Sequence, residues 1–147
     1  MQKVMVVDDE ARMREVLYDA LTSKGYAVIT VGSGEQTIEV LKTQRPQLVV
    51  LDLGLPGISG LEVARRIRSF DETLPVILCR TAAEVVPPAE TLKELAIAEV
   101  VQKEDIARLA ERVHAILEQR KAVPKAGKTG LAGMLLIVDD DPQVQQL

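Results

Sequence analysis

The sequence predicts an α/β fold, a parallel sheet whose strands are joined by right-handed helical crossovers, with helices on both faces. Three observations predict it. Short aliphatic runs alternate with segments of helical periodicity five times over residues 1–121, the pattern of successive strand–helix units. The run Leu48-Val49-Val50-Leu51 has no polar break, as suits a strand buried on both faces. Acidic, hydroxyl and lysine side chains follow the aliphatic runs directly, and in open α/β sheets ligands bind outside the carboxyl ends of the strands.

Val4 to Val7 is the first strand, running into Asp8-Asp9-Glu10. Met13, Val16, Leu17, Ala20 and Leu21 recur at helical spacing, and Gly25 ends that helix as a C-cap glycine does. Tyr26 to Val31, rich in β-branched residues, is the second strand. Ser33 can cap a helix carrying Ile38, Val40 and Leu41, which Pro46 closes. Leu48–Leu51 is the third strand, and Asp52 opens a loop marked by Gly54, Pro56, Gly57 and Gly60. Leu61, Val63, Ala64 and Ile67 mark a third helix, with Arg65, Arg66 and Arg68 on its solvent side. Val76 to Cys79 is the fourth strand, opened by Pro75. Pro87-Pro88 can start a fourth helix carrying Leu92, Leu95 and Ala96. Val100-Val101 is a short fifth strand before Lys103, and from Asp105 an amphipathic helix follows through Ile106, Leu109, Val113 and Leu117.

Composition narrows the function classes. The formal net charge is −4 and no long basic run occurs, so a nucleic-acid groove is not expected within this chain. Neither a leader-like amino terminus nor a run of membrane-spanning length is present, and the expectation is a cytoplasmic protein without membrane contact. Cys79 is the sole cysteine and lies in an apolar run, which suits a buried core thiol. His114, the sole histidine, falls in the last helix, away from the acidic residues. Gly32-Ser33-Gly34 and Gly127-Lys128-Thr129 lack the remaining glycines of nucleotide-binding loops.

A parallel sheet brings Asp8, Asp9, Asp52, Thr81 and Lys103 to one edge. Three crowded carboxylates resist full ionisation, and a hard divalent cation relieves that; Mg²⁺ suits a site that combines a few carboxylates with phosphate oxygens. Lys103 adds a fixed positive charge and Thr81 a hydroxyl donor. The chemistry expected is attack of the Asp52 carboxylate on phosphorus, giving an acyl phosphate, with charge on the transferring group stabilised electrostatically.

Val6-Val7-Asp8-Asp9-Glu10, Leu51-Asp52-Leu53-Gly54-Leu55-Pro56-Gly57-Ile58-Ser59-Gly60, Thr81-Ala82 and Lys103 resemble the receiver domain of two-component response regulators. The resemblance covers residues 1–121. It implies a flavodoxin-like fold with strand order 2-1-3-4-5, and Asp52 as the phosphorylated residue. It also implies Mg²⁺ held by Asp9, Asp52, the carbonyl of Gly54 and, through water, Asp8. Thr81 and Lys103 would bond phosphoryl oxygens. The implied donor is a phosphohistidine on a sensor histidine kinase or a histidine phosphotransfer domain. The implied signalling surface, and the face for a homodimer, is the fourth helix, fifth strand and fifth helix. The role is a signalling switch rather than a turnover enzyme.

The sequence departs from the family in three places. Val100 stands where the family usually has an aromatic residue, three positions before its lysine. Glu104, not proline, follows Lys103. The hydroxyl position falls at Arg80 when counted from Pro75 and at Thr81 when counted back from Lys103; Thr81 is preferred because it alone carries a hydroxyl. Gly54 and Ala83, two positions beyond Asp52 and Thr81, are minimal, so the acyl phosphate is expected to be poorly shielded and short-lived. A haloacid dehalogenase-type phosphatase would need a second Asp where Gly54 stands. A pseudo-receiver, folded but never phosphorylated, is the alternative.

Residues 122–133 mix Lys, Gly, Ala and Pro without periodicity and read as a linker. Residues 134–147, beginning Met134-Leu135-Leu136-Ile137-Val138-Asp139-Asp140, repeat the order of classes at the start of the chain. They read as the first strand and helix start of a second, truncated receiver domain.

Overall fold

The computed structural model describes residues 2–122, with side chains to residue 120. Ala122, read from the sequence as the first linker residue, still belongs to the last helix; the rest of the linker, 123–133, and the repeated segment 134–147 lie outside the described residues. A first compact unit, Met1–Ile116, holds the sheet. In the second, Leu117–Leu147, only the end of the last helix is described.

Five strands, β1 (Lys3–Val7), β2 (Ala27–Val31), β3 (Leu48–Asp52), β4 (Val76–Arg80) and β5 (Glu99–Gln102), alternate with five helices. These are α1 (Ala11–Thr22), α2 (Gly34–Leu41), α3 (Gly60–Phe70), α4 (Ala89–Glu94) and α5 (Ile106–Ala122). All pairings are parallel and the order is β2-β1-β3-β4-β5, the order 2-1-3-4-5 that the resemblance implies.

Side chains alternate across a strand, and here both sets are buried. Met5, Val7, Val49, Leu51, Val76 and Leu78 form one core with Leu41 of α2 and Val63, Ala64 and Ile67 of α3. Val4, Val6, Leu48, Val50 and Ile77 alternate with them and are equally buried, and Met13, Leu17 and Leu21 of α1 and Leu109, Ala110 and Val113 of α5 are buried as well. Burial on both faces explains why β3 reads as an unbroken aliphatic run. The Cys79 thiol is buried in this sheet, and burial pushes its pKa up.

Local chemistry sets the ends of the helices. Ser33 Oγ accepts from Gln36 N at 3.1 Å, and Ser59 Oγ accepts from Glu62 N at 3.3 Å, both N-caps. Gly25, at φ +94°, turns the chain from α1 into β2. α4 is shorter than its apolar residues suggest. Pro88 caps rather than enters it, and it ends at Glu94, so Leu95 and Ala96 fall beyond it. Ala96 takes a positive φ of 51°, which no helix continues through. Arg68 explains how that end holds. It is half-buried rather than on the solvent side, and donates to Leu95 O at 2.7 Å and Ala96 O at 3.3 Å.

Candidate functional site

The carboxyl ends of β1 and β3 place Asp8 and Asp52 side by side, because Val7 pairs with Leu51 in the sheet. Both carboxylates are buried, at 2% and 3% exposure. Asp9 is exposed, yet one carboxylate oxygen of each of the three residues lies within 4.8 Å of the others. Lys103, in the turn after β5, reaches in from the far edge. Its Nζ is 3.0 Å from Asp8 Oδ2 and 3.3 Å from Asp52 Oδ2. The remaining oxygens are held by backbone. Glu10 N donates to Asp8 Oδ1 at 2.9 Å, and Gly54 N donates to Asp52 Oδ1 at 3.0 Å.

The electrostatics follow. Burial, then the neighbouring Asp8 charge, pushes the Asp52 carboxyl up to about 6, against the lowering effects of Gly54 N–H and Lys103. Burial opposes the Lys103 charge, but the hydrogen bond and charge of Asp8, followed by those of Asp52, outweigh it and raise the ammonium's pKa. Lys103 pairs with two of the three clustered carboxylates, Asp8 and Asp52, so the cluster is short of positive charge. It offers hard oxygen ligands of the kind a divalent cation takes.

Of the residues singled out from the sequence, Asp8, Asp9, Asp52 and Lys103 come together, and Gly54 adjoins them through its amide. Thr81 lies just past the end of β4. Cys79 pairs with Asp52 and Arg80 with Gln102, so Arg80 takes the last strand position and Thr81 begins the loop. The Thr81 N–H donates to Glu84 Oε1 at 2.8 Å. The strand runs unbroken from Val76 to Arg80, and its last pair, Arg80 with Gln102, brings Thr81 and Lys103 next in line on the two chains. His114 lies away from the cluster, with Nδ1 2.8 Å from the Tyr26 hydroxyl.

Glu84 is the residue that sequence reasoning missed. It is half-buried, and its carboxylate lies against Gly54 so closely that a Cβ there would overlap Oε2. The bare position expected beyond Asp52 is therefore covered by a carboxylate from another loop.

Residues 4–114 match the response regulator receiver domain. The chain belongs to that family. The transcriptional regulatory protein AfsQ1 of Streptomyces coelicolor is 37% identical over 119 residues, 81% of this chain and 52% of that protein. The DNA-binding response regulator MtrA of Mycobacterium leprae is 32% identical over 143 residues, 97% of this chain and 60% of that protein. The receiver domain thus spans about half the length of the curated relatives it matches. Among solved structures, the response regulator TrrA of Thermotoga maritima, in complex with Mg²⁺ and BeF, superimposes with a TM-score of 0.70. It shares 34% identity over 79% of this chain and 99% of that one. TrrA is also known in complex with the histidine kinase ThkA. The receiver domain has no helix among its described residues that is long and apolar enough to cross a membrane.

Proposed function

We propose that this receiver domain accepts a phosphoryl group on Asp52 and acts as a phosphorylation-controlled switch in a two-component or phosphorelay system. The observation that supports it best is the buried Asp52 carboxylate, 3.3 Å from Lys103 Nζ and grouped with Asp8 and Asp9. In the reaction an Asp52 oxygen attacks phosphorus and the P–O bond forms. The P–N bond of the donor phosphohistidine breaks, and the imidazole nitrogen leaves with the electron pair. Gly54 N–H orients the nucleophile through Oδ1. Lys103 holds positive charge where the equatorial oxygens gather negative charge.

Asp8, Asp9, Asp52 and the carbonyl of Gly54 are the groups that would hold Mg²⁺. The fit rests on clustered hard oxygens with a single ammonium for three carboxylates. When bound, the ion neutralises charge on the phosphoryl oxygens. Thr81 is the hydroxyl that would bond the phosphoryl group. Its place at the start of a loop means that it would have to swing in.

The partner proposed is a sensor histidine kinase or a histidine phosphotransfer domain, in keeping with the kinase complex of TrrA. A homodimer would use the face of α4, β5 and α5. No nucleic-acid contact is assigned to this chain, which carries a net charge of −4, and no membrane contact. The domain is a regulatory phosphoacceptor rather than a turnover enzyme, and the reading goes with a cytoplasmic location. Residues 1–121 would be the receiver, 122–133 a linker, and 134–147 the opening of a second receiver in a longer protein. Since Asp9 and Asp52 are 43 positions apart, a second phosphoacceptor Asp is expected about 43 residues beyond Asp140. A gene without an aliphatic-strand–Asp–glycine loop there would end the tandem reading.

The experiment is intact-mass measurement after incubation with acetyl phosphate and Mg²⁺. One phosphoryl adduct is expected, absent in Asp52→Asn and absent with chelator. Equal labelling of Asp52→Asn would sink the assignment. No adduct on the unaltered chain, with no beryllofluoride binding, would favour a pseudo-receiver.

A further inference from the structure

The loop after β4 is closed on itself around Glu84. Glu84 N donates to Thr81 O at 3.1 Å, and Thr81 N donates back to Glu84 Oε1 at 2.8 Å. Arg80 Nη1 spans the same turn, donating to Thr81 O at 3.2 Å and to Glu84 O at 2.9 Å. The carboxylate's other oxygen packs on the bare Cα of Gly54, whose own N–H is bonded to Asp52 Oδ1. One backbone donor next to the acidic cluster is therefore already occupied by an anion, and that anion belongs to the chain itself.

This placement runs against the local charge. The cluster has three carboxylates and one ammonium, so a further carboxylate close by is held there by its hydrogen bonds and not by attraction to the site. Only a residue without a side chain at position 54 leaves it room. A phosphoryl group on Asp52 would bring about −1.5 to −2 charges and three acceptor oxygens to the same spot. Both the repulsion and the competition for the Thr81 N–H act to expel Glu84.

We propose that Glu84 is a gate of the phosphorylation site. Its carboxylate occupies an anion seat formed by the Thr81 N–H and the face of Gly54, slows entry of the phosphoryl group, and leaves when that group arrives. Release opens the turn that Arg80 and Glu84 close, and with it the exposed Val85 and Val86 that lead into α4. The proposal rests on Asp52 being the phosphoacceptor.

The test compares the unaltered chain with Glu84→Ala and Glu84→Gln. The readouts are the rate of labelling by acetyl phosphate with Mg²⁺, beryllofluoride affinity, and hydrogen exchange at the Thr81 amide in the metal-free proteins. Glu84→Ala is expected to label and to bind beryllofluoride roughly fivefold better or more, with faster exchange at Thr81. Glu84→Gln keeps an acceptor oxygen and loses the charge, and is expected to fall between the two. Unchanged labelling and beryllofluoride affinity in Glu84→Ala would overturn the gate while leaving Asp52 as phosphoacceptor. Slower labelling with weaker Mg²⁺ binding would also overturn it, by making Glu84 a helper of the metal site. Absence of label in all three proteins would instead refute the reading on which the gate depends.

Discussion

Lys103 Nζ stands 3.3 Å from Asp52 Oδ2, across 51 positions of chain. The contact joins the central strand to the edge strand and fixes the charge balance of the site. Lys103 also faces Asp8 at 3.0 Å, so it is the one ammonium serving two buried carboxylates. Lys103→Ala should leave the sheet intact but slow labelling of Asp52 by about 10²-fold, the order seen when one preorganised donor to a transition-state oxyanion is removed. Parallel intact-mass time courses with Mg²⁺ in excess measure this. Equal rates would show that the ammonium plays no part in transfer.

The metal-free protein should lose stability as pH rises from about 4 to about 6. Asp52 has its pKa raised to about 6 by burial and by the Asp8 charge. The folded state therefore holds a proton in this window that the unfolded chain has already released. With more protons bound in the native state, stability falls as pH increases. The sign is opposite to that of a salt-bridged carboxylate with a lowered pKa. Urea midpoints at a series of pH values measure the slope. Asp52→Asn should flatten it, and saturating Mg²⁺ should reduce it.

Gly60 is required by close approach. A Cβ there would overlap the Asp52 carbonyl oxygen and come within 2.8 Å of Leu53 Cα, both backbone. Gly60 N also donates to Leu53 O at 3.2 Å, so the start of α3 is pressed onto the loop that carries the nucleophile. Gly60→Ala should cost about 1–3 kcal/mol, as overpacking does. It should also slow labelling by shifting Asp52. Thermal unfolding together with the acetyl phosphate time course reads both effects; a variant of normal stability and rate would contradict the close approach.

The parts of the site that were legible in the sequence share one property: they follow from strand register. Val7 pairs with Leu51, so Asp8 and Asp52 had to meet once both strands were recognised. Lys103 follows β5 for the same reason. Side chains that fold back over loops were not legible. Nothing in the spacing of Gly54 and Glu84 shows that the turn after β4 carries one onto the other, so an open site was expected and a covered one is found. Arg68 sits among exposed arginines in the helical pattern, yet the short α4 leaves carbonyls that draw it inward. The hydroxyl register was ambiguous because an extra residue between β4 and Lys103 can be placed at either end. Sheet pairing of Arg80 with Gln102 leaves Thr81 and Lys103 as the next residues of the two chains.

Arg68 is expected to hold the end of α4, on the face through which switching would be read. Its guanidinium makes three bonds to backbone carbonyls. Nε donates to Leu95 O at 2.7 Å, Nη1 to Asp71 O at 2.9 Å, and Nη2 to Ala96 O at 3.3 Å. Helix C-termini leave carbonyls without intrahelical partners, and α4 has only six residues, too few to be stable through its own hydrogen bonds. Arg68→Ala should therefore cost about 1–3 kcal/mol and raise amide exchange from Ala89 to Ile97. The Asp52 site should be spared, because none of its residues touches the guanidinium. Arg68→Lys keeps the charge but cannot reach three carbonyls with a fixed fork, and should recover only part of the protection. Uniform exchange rates over α4 in Arg68→Ala would show that the helix is held by Leu95 packing in the core and not by this arginine.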